Sequence, residues 1–280
     1  MLTINLNEDT RVIEVQSNDQ TNSTIIARGH FAVDKPGRTT LIIFNIIQIT
    51  PDNHQKLNQL LSQTAAHVGL TYRSLVCIRL PAIFDGRFDF EQLKCQNNLS
   101  PMMSVTLDHL KYYPEKKLSE DYELVTEKDA ILNSTEQILP MMHRDAFWAK
   151  DWNFQGIKDR TQSATHVVMI TDRVKNTPCG FGRISLLKTN DEFLGYLSDI
   201  AIDSAHQSKG LGSILVNELV SICVSQEVKQ KGMTGTLCLQ YAIRGSGAIS
   251  APKLYRKFGF ADMEKLENRI AIFANADHYG

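Results

Sequence analysis

Between Phe193 and Ser213 the chain runs from an apolar strand, Leu194 to Ile202, through a short loop into a helix, and the loop reads Gln207-Ser208-Lys209-Gly210-Leu211-Gly212-Ser213. Two glycines one residue apart at a helix mouth solve one physical problem. They remove Cβ atoms, so a ligand can approach the backbone closely, and the helix start leaves several N–H groups with no carbonyl partner. Those donors sit at the positive end of the helix dipole, which suits a phosphate-bearing ligand.

Two better-known phosphate motifs do not fit. A triphosphate loop ends in Gly-Lys-Ser/Thr, whereas here Lys209 precedes Gly210. A dinucleotide fingerprint needs three glycines after the first strand of a βαβ unit; here a run of strands comes first and two glycines follow. Gly245-Ser246-Gly247 precedes only a short helix and reads as a loop. What remains is Gln-x-x-Gly-x-Gly after a long strand. About two elements later stands Leu254-Tyr255-Arg256-Lys257-Phe258-Gly259-Phe260. Within the apolar strand stands one acid, Asp199, which must face solvent, a cleft or a partner.

The elements that would position these residues follow from periodicity. From Tyr122 the order is a short strand, helices at 131–142 (with Pro140 ending or kinking the first) and 154–162, then an antiparallel run of strands at 166–171, 179–187 and 191–203. A helix at 212–224 buries Leu211, Leu215 and Leu219, and a strand at 236–242, a helix at 249–257 and a strand at 269–273 complete the order. A meander feeding one crossover helix predicts an α/β fold of the α+β kind with a mixed sheet.

In order and context, the two signature segments resemble the GNAT superfamily of acyl-CoA-dependent N-acyltransferases, over roughly Asp121 to Phe273. The resemblance implies that the pyrophosphate of coenzyme A lies on the backbone of Gln207, Ser208, Lys209, Gly210, Leu211, Gly212 and Ser213. It implies a pantetheine arm paired with Ile200, Ala201 and Ile202, on a strand that splays from the next one, with a main-chain N–H near Ile200 stabilising the oxyanion. Tyr255 matches the position that protonates the leaving thiolate; a core tyrosine is the alternative. The family is inconsistent about its base: Asp199 is the first candidate, against a half-exposed strand residue, with Glu192 second and a water relay third. Trp148 and Trp152 either wall the acceptor pocket or pack under the sheet. One departure stands out: the family often has asparagine seven residues before the tyrosine, where this chain has Ala248, although Ala251 does match.

The implied activity is direct transfer of an acetyl or other short acyl group from acetyl-CoA to a small-molecule or peptide amine, with no metal. A coenzyme-A-binding regulatory or scaffold protein without catalysis is the alternative.

The 280 residues suit two domains, and the polar, proline-containing stretch 111–121 marks a boundary, giving 1–118 and 119–280. The first part reads as a smaller α/β domain with strands at 2–6, 11–16, 23–33, 39–49 and 71–80. A helix capped by Thr50-Pro51-Asp52 buries Leu57, Leu60, Leu61 and Ala65 and stops at Gly69; short helices follow at 91–94 and 105–113. Its strand–helix–strand unit faintly echoes the second part, as a decayed copy would. Lys+Arg 30 against Asp+Glu 31 leaves no electrostatic footprint for nucleic acid or a membrane. The 5 cysteines form no C-x-x-C pair, which argues against a disulfide framework or a zinc site. With no basic or apolar leader and no long apolar run, the expected location is cytoplasmic.

Overall fold

A computed structural model describes residues 1–18, 23–34, 39–46, 48, 54–72, 75–79, 102–115, 117–188, 192–225, 234–241, 247–262 and 270–273. The expected turn at 35–37, the cap Thr50-Pro51-Asp52, the loop Asp85-Gly86-Arg87, the short helix at 91–94 and the side chains of Glu192 and Ala248 lie outside them. The chain divides into two compact units, Met1–Leu99 with Met263–Gly280, and Ser100–Asp262. The sequence boundary at 118 falls inside the second unit.

In the first unit, β1 (Leu2–Asn7), β2 (Val12–Asn18), β3 (Ser23–Asp34) and β4 (Thr39–Ile46) pair antiparallel in succession. Helix α1 (His54–Tyr72) crosses over to β5 (Leu75–Arg79), which lies parallel to β4, and β13 (Ile270–Phe273) closes the sheet antiparallel to β5. Leu57, Leu60, Leu61 and Ala65 recur at helical spacing and are buried, so α1 packs by one apolar face. Gly69 does not stop this helix: it lies inside it and is buried. Residues 71–72, expected in the next strand, are the last of α1.

The second unit repeats that plan. Strands β7 (Tyr122–Val125), β8 (His166–Asp172), β9 (Thr177–Lys188) and β10 (Glu192–Ile202) form the antiparallel run, and α5 (Leu211–Ser221) crosses over to β11 (Thr234–Gln240), parallel to β10. Beside β11 lie β6 (Met102–Thr106) and then β12 (Ala261–Asp262), both antiparallel to their neighbours. The expected helix at 105–113 is therefore β6 and a turn, because Met103 and Val105 alternate into the core on a strand that pairs with β11. The outer strands are exchanged relative to chain order: β6 follows β5 in sequence but joins β11, while β13 joins β5.

Each face of the second sheet carries helices. On one, α5 buries Leu211, Leu215 and Leu219 among Phe193, Leu197 and Leu237. On the other, α3 (Thr135–Asp145) and α4 (Phe154–Ser163) bury Ile138, Met142 and Ile157 against Phe181 and Ala201. Two short helices replace the one expected at 131–142: α2 (Lys128–Asn133) ends at Ser134, whose hydroxyl donates to the Ala130 carbonyl, and α3 then runs through Pro140. Pro140 removes the bond to the Glu136 carbonyl, and both residues are exposed, so water can serve that carbonyl. Helix α6 (Gly247–Lys257) precedes β12. Among the described residues no helix is long and apolar enough to cross a membrane.

Candidate functional site

The glycine loop opens α5 as its residue types require. Gly210 caps the helix in the left-handed region, with φ +83°, and Ser208 also has positive φ, at +63°. Among the described residues a Cβ at Gly210 would meet nothing within 4 Å, so the glycine is needed for its backbone angle and for the open space above it. The N–H groups of Ser213 and Ile214 both donate to the Gly210 carbonyl, and the Gln207 N–H reaches the Ser204 carbonyl at 3.5 Å. Among the described residues the N–H groups of Ser208, Lys209, Gly210, Leu211 and Gly212 donate to no protein acceptor. The result is a compact set of outward donors of the kind that binds oxyanions, narrower than the full 207–213 stretch. The Gln207 side chain ties the loop to the strand before it, donating from Nε2 to the Ile202 carbonyl at 3.1 Å.

That strand leaves its parallel neighbour where the loop begins to matter. Register between β10 and β11 runs from Glu192↔Thr234 to Leu197↔Leu239 and stops there. Residues 198–202 remain paired on the other side, to β9, across a bulge between Ser198 and Ala201. Among the described residues the β11-facing edge of Ile200, Ala201 and Ile202 has no strand partner, the Ile202 carbonyl accepting only from the Gln207 side chain, and such an edge can pair with an extended ligand.

Asp199 sits at the bulge with φ +58°. Its side chain is only 7% exposed and is ion-paired twice: Arg183 donates to it from Nε, and Arg160 Nη1 lies 3.5 Å from the same oxygen. Of the placements expected for an acid in this strand, the structure shows the partner and not an open cleft. Sequence reasoning missed both arginines. A signal was present, because Arg183 stands in the apolar run Gly180-Phe181-Gly182-Arg183-Ile184 as Asp199 does in its own strand.

Tyr255 is fixed by how α6 ends. Gly259, at φ +92°, lets its N–H reach the Arg256 carbonyl (3.1 Å) while the Phe260 N–H reaches the Tyr255 carbonyl (3.3 Å). This pair of bonds is a Schellman motif, and its usual apolar contact is present: the Tyr255 and Phe260 rings lie 6.1 Å apart, edge to face. The Lys257 and Phe258 carbonyls accept from the Tyr113 hydroxyl (2.7 Å) and the Lys111 N–H (3.0 Å). A Cβ at Gly259 would lie 2.3 Å from the His109 carbonyl oxygen, on top of the strain of positive φ. Gly259→Ala is expected to destabilise the second unit by about 2–4 kcal/mol. Chemical denaturation reads this, and an unchanged midpoint would contradict it.

The Tyr255 side chain is buried, and burial pushes its phenol above the ordinary tyrosine value. Among the described residues its hydroxyl has no hydrogen-bond partner. A raised folded-state value means the folded protein holds this proton more tightly than the unfolded chain does. The associated stability is complete below about pH 10, the unfolded tyrosine value, and is lost as pH rises from there towards the folded value. Tyr255→Phe is therefore expected to melt with a shallower decline than the parent between about pH 9.5 and 11. Identical slopes in thermal melts would contradict it.

Three segments converge at the loop: a Cβ on Gly212 would lie 3.2 Å from Leu254 Cδ2 of α6 and 3.7 Å from Ile202 Cγ1 of β10. The tryptophans are placed differently. Trp152 is half-buried, with the Arg160 guanidinium 3.8 Å from its ring centroid, so it is linked through Arg160 to Asp199. Trp148 is 40% exposed and touches Phe147 edge-on at 5.2 Å, with no described contact to that cluster. Lys209 points inward: its Nζ donates to the Tyr122 hydroxyl at 3.1 Å, which in turn is 3.1 Å from His206 Nδ1, so the loop is braced from below. That hydrogen bond chiefly raises the Lys209 pKa. Among the described residues no group of His, Cys, Asp and Glu could hold a metal.

Residues 162–262 match the family model of the acetyltransferase (GNAT) domain. Among solved structures, the chain is similar to a GCN5-related N-acetyltransferase from Sphaerobacter thermophilus, at 14% identity and TM-score 0.47, over 94% of this chain and 79% of that one. It is similar to a Trypanosoma brucei acetyltransferase at 16% identity and TM-score 0.39, over 52% of this chain and 96% of that one. Glucosamine-6-phosphate N-acetyltransferase from Arabidopsis thaliana gives 14% identity and TM-score 0.38, over 51% and 93%. No curated protein matches the chain.

Proposed function

We propose that the second unit transfers an acetyl or other short acyl group from acetyl-CoA directly to an amine. The observation that carries this reading is that, among the described residues, the N–H donors of Ser208–Gly212 and the β11-facing edge of Ile200–Ile202 lie together without a protein partner strand or acceptor. When bound, acetyl-CoA supplies a thioester whose carbonyl carbon the neutral amine attacks, so that a C–N bond forms, the C–S bond breaks and the sulfur leaves as thiolate.

The residues present fit such a ligand. The N–H groups of Ser208 to Gly212 would hold the pyrophosphate, with the glycine at 210 keeping the approach clear. The edge of Ile200, Ala201 and Ile202 would pair with the amide-bearing arm, and an N–H near Ile200 would stabilise charge on the carbonyl oxygen. Tyr255, kept protonated by burial, would give its proton to the thiolate. Asp199 is engaged by two guanidinium groups and serves to position the strand, so water would take both the ammonium proton and the proton the nitrogen releases on becoming an amide, and would return one to Tyr255. Trp152 and Trp148 lie on the segment that would border the acceptor.

Direct transfer is supported by the cysteines as well. Cys179, Cys223 and Cys238 are buried, and burial, with the charges of Asp172 and Asp203, pushes the Cys179 thiol up to about 12, far from a nucleophilic thiolate. A cytoplasmic enzyme acting on a small-molecule or peptide amine, without metal, is the full reading. The test is thiol release from acetyl-CoA across a panel of amines. Acceptor-dependent release is expected; coenzyme binding with no release for any amine would favour a regulatory coenzyme-A-binding protein instead.

A further inference from the structure

We propose that Arg183 and Arg160 are positioning residues that clamp Asp199 in a left-handed conformation and thereby hold the bulge from which Ser198–Ile202 departs from β11. The kinetic consequence rests on the acyl-CoA reading above; the clamp itself does not.

Ser198 pairs with Arg183 and Ala201 with Phe181, so Asp199 and Ile200 together stand opposite Gly182 alone. In an unbulged strand the residue after Ser198 would take the Gly182 position and point to the α5 face. A Cβ on Gly182 would meet Leu219 at 3.0 Å and Leu215 at 3.3 Å, which is no place for a carboxylate. The extra residue resolves this. Ile200 takes the α5 side, with Cγ1 3.3 Å from that Cβ position, and Asp199 turns to the opposite side, where Arg183 and Arg160 lie.

The left-handed first position of such a bulge is ordinarily glycine, because a Cβ there is strained. An aspartate persists there only if its surroundings over-determine it. Arg183 is fully buried and cross-strand from the residue before the bulge, so its Nε reaches the Asp199 carboxylate only while that side chain is turned. Arg160 arrives from α4, with its guanidinium anchored 3.8 Å over Trp152. The last β10–β11 pair, Leu197↔Leu239, comes immediately before the bulge, so the clamp and the opening of the strand edge coincide. Arg183, Asp199 and Arg160 thus hold the strand segment that follows the bulge.

Hydrogen exchange of residues 198–202 and acyl-transfer kinetics test this together, on Arg183→Met, Asp199→Ala and the double variant Arg183→Met/Asp199→Gly. Both single variants are expected to raise exchange in that segment by about tenfold or more. They should lower kcat by about tenfold or more while affinity for coenzyme A stays within about threefold, a split that general unfolding would not produce. In the double variant, glycine accepts the left-handed angle, the fully buried Arg183 charge is gone and Arg160 keeps its place over Trp152, so protection should return and kcat recover by about tenfold over either single variant. If Arg183→Met does not fold, Arg183→Lys, which retains the charge but not the planar fork, is expected to raise exchange by about threefold. Wild-type exchange in the single variants overturns the clamp. So does a double variant with restored protection that stays as slow as Asp199→Ala, since that result makes Asp199 the proton acceptor. A wild-type protein that fails to bind coenzyme A removes the acyl-CoA reading alone, and the exchange comparison still decides the clamp.

Discussion

Gly210→Asp is expected to weaken acetyl-CoA binding by roughly 100-fold while leaving the fold intact. The reason is electrostatic. A carboxylate projected about 5 Å from a bound phosphate costs about 3 kcal/mol at the effective dielectric of a protein surface. It would also offer its own acceptors to the N–H groups of Ser208 to Gly212. Steric and backbone costs are small by comparison. Among the described residues nothing lies within 4 Å of a Cβ at Gly210, and aspartate is among the residues that tolerate a left-handed angle. Gly210→Asn separates the two contributions, since it has nearly the same shape and no charge. Its expected loss is under about tenfold. Titration calorimetry with both variants decides the matter, and equal effects of Asn and Asp, or none, would remove the loop from the binding site.

Tyr255→Phe is expected to lower kcat by about 100-fold with little change in coenzyme affinity, the size of effect typical of a lost general acid. The hydroxyl is the only atom removed. The ring keeps its edge-to-face contact with Phe260, and the Schellman bonds at Gly259 and Phe260 are backbone bonds that the substitution does not touch. Among the described residues the hydroxyl has no protein partner, so its removal strands no buried polar group. Steady-state kinetics alongside coenzyme titration separate the outcomes. A parallel loss of turnover and affinity, or no loss of either, would make Tyr255 a core residue and not the acid.

The local geometry of both residues was legible in the sequence because each belongs to a short contiguous motif whose backbone dictates it; the role of Tyr255 came from the family resemblance. Gly210 and Gly212 open a helix, and Gly259 closes one. A few consecutive φ values and the orphan groups of a helix end are local properties, so residue type at fixed spacing reports them. The α/β order of the second unit was legible for the same reason: periods of 3.6 and 2 are written along the chain, and the apolar faces of α1 and α5 follow from them.

Other features had no local signature. The stretch 105–113 carries apolar residues that fit a short helix, and only the open edge of β11 makes its beginning a strand. The stretch 269–273 reads plainly as a strand, but its partner, β5, is almost 200 positions away, and nothing near it in sequence names that partner. The division at 99 and 262 follows from those two pairings, whereas the charged segment 111–121 only resembles a linker.

The role of Asp199 shows the same limit at the scale of one residue. Sequence alone established that an acid interrupts an apolar strand and therefore needs solvent, a cleft or a partner. Which of these it has depends on register, and one extra residue at the bulge moves its side chain from the leucines under α5 to the arginines on the other face. Arg183 and Arg160 lie 16 and 39 positions away along the chain. Local spacing determined the glycine loop and the helix end that holds Tyr255; strand pairing, which is settled only when the whole sheet forms, decided which side chains the aspartate meets.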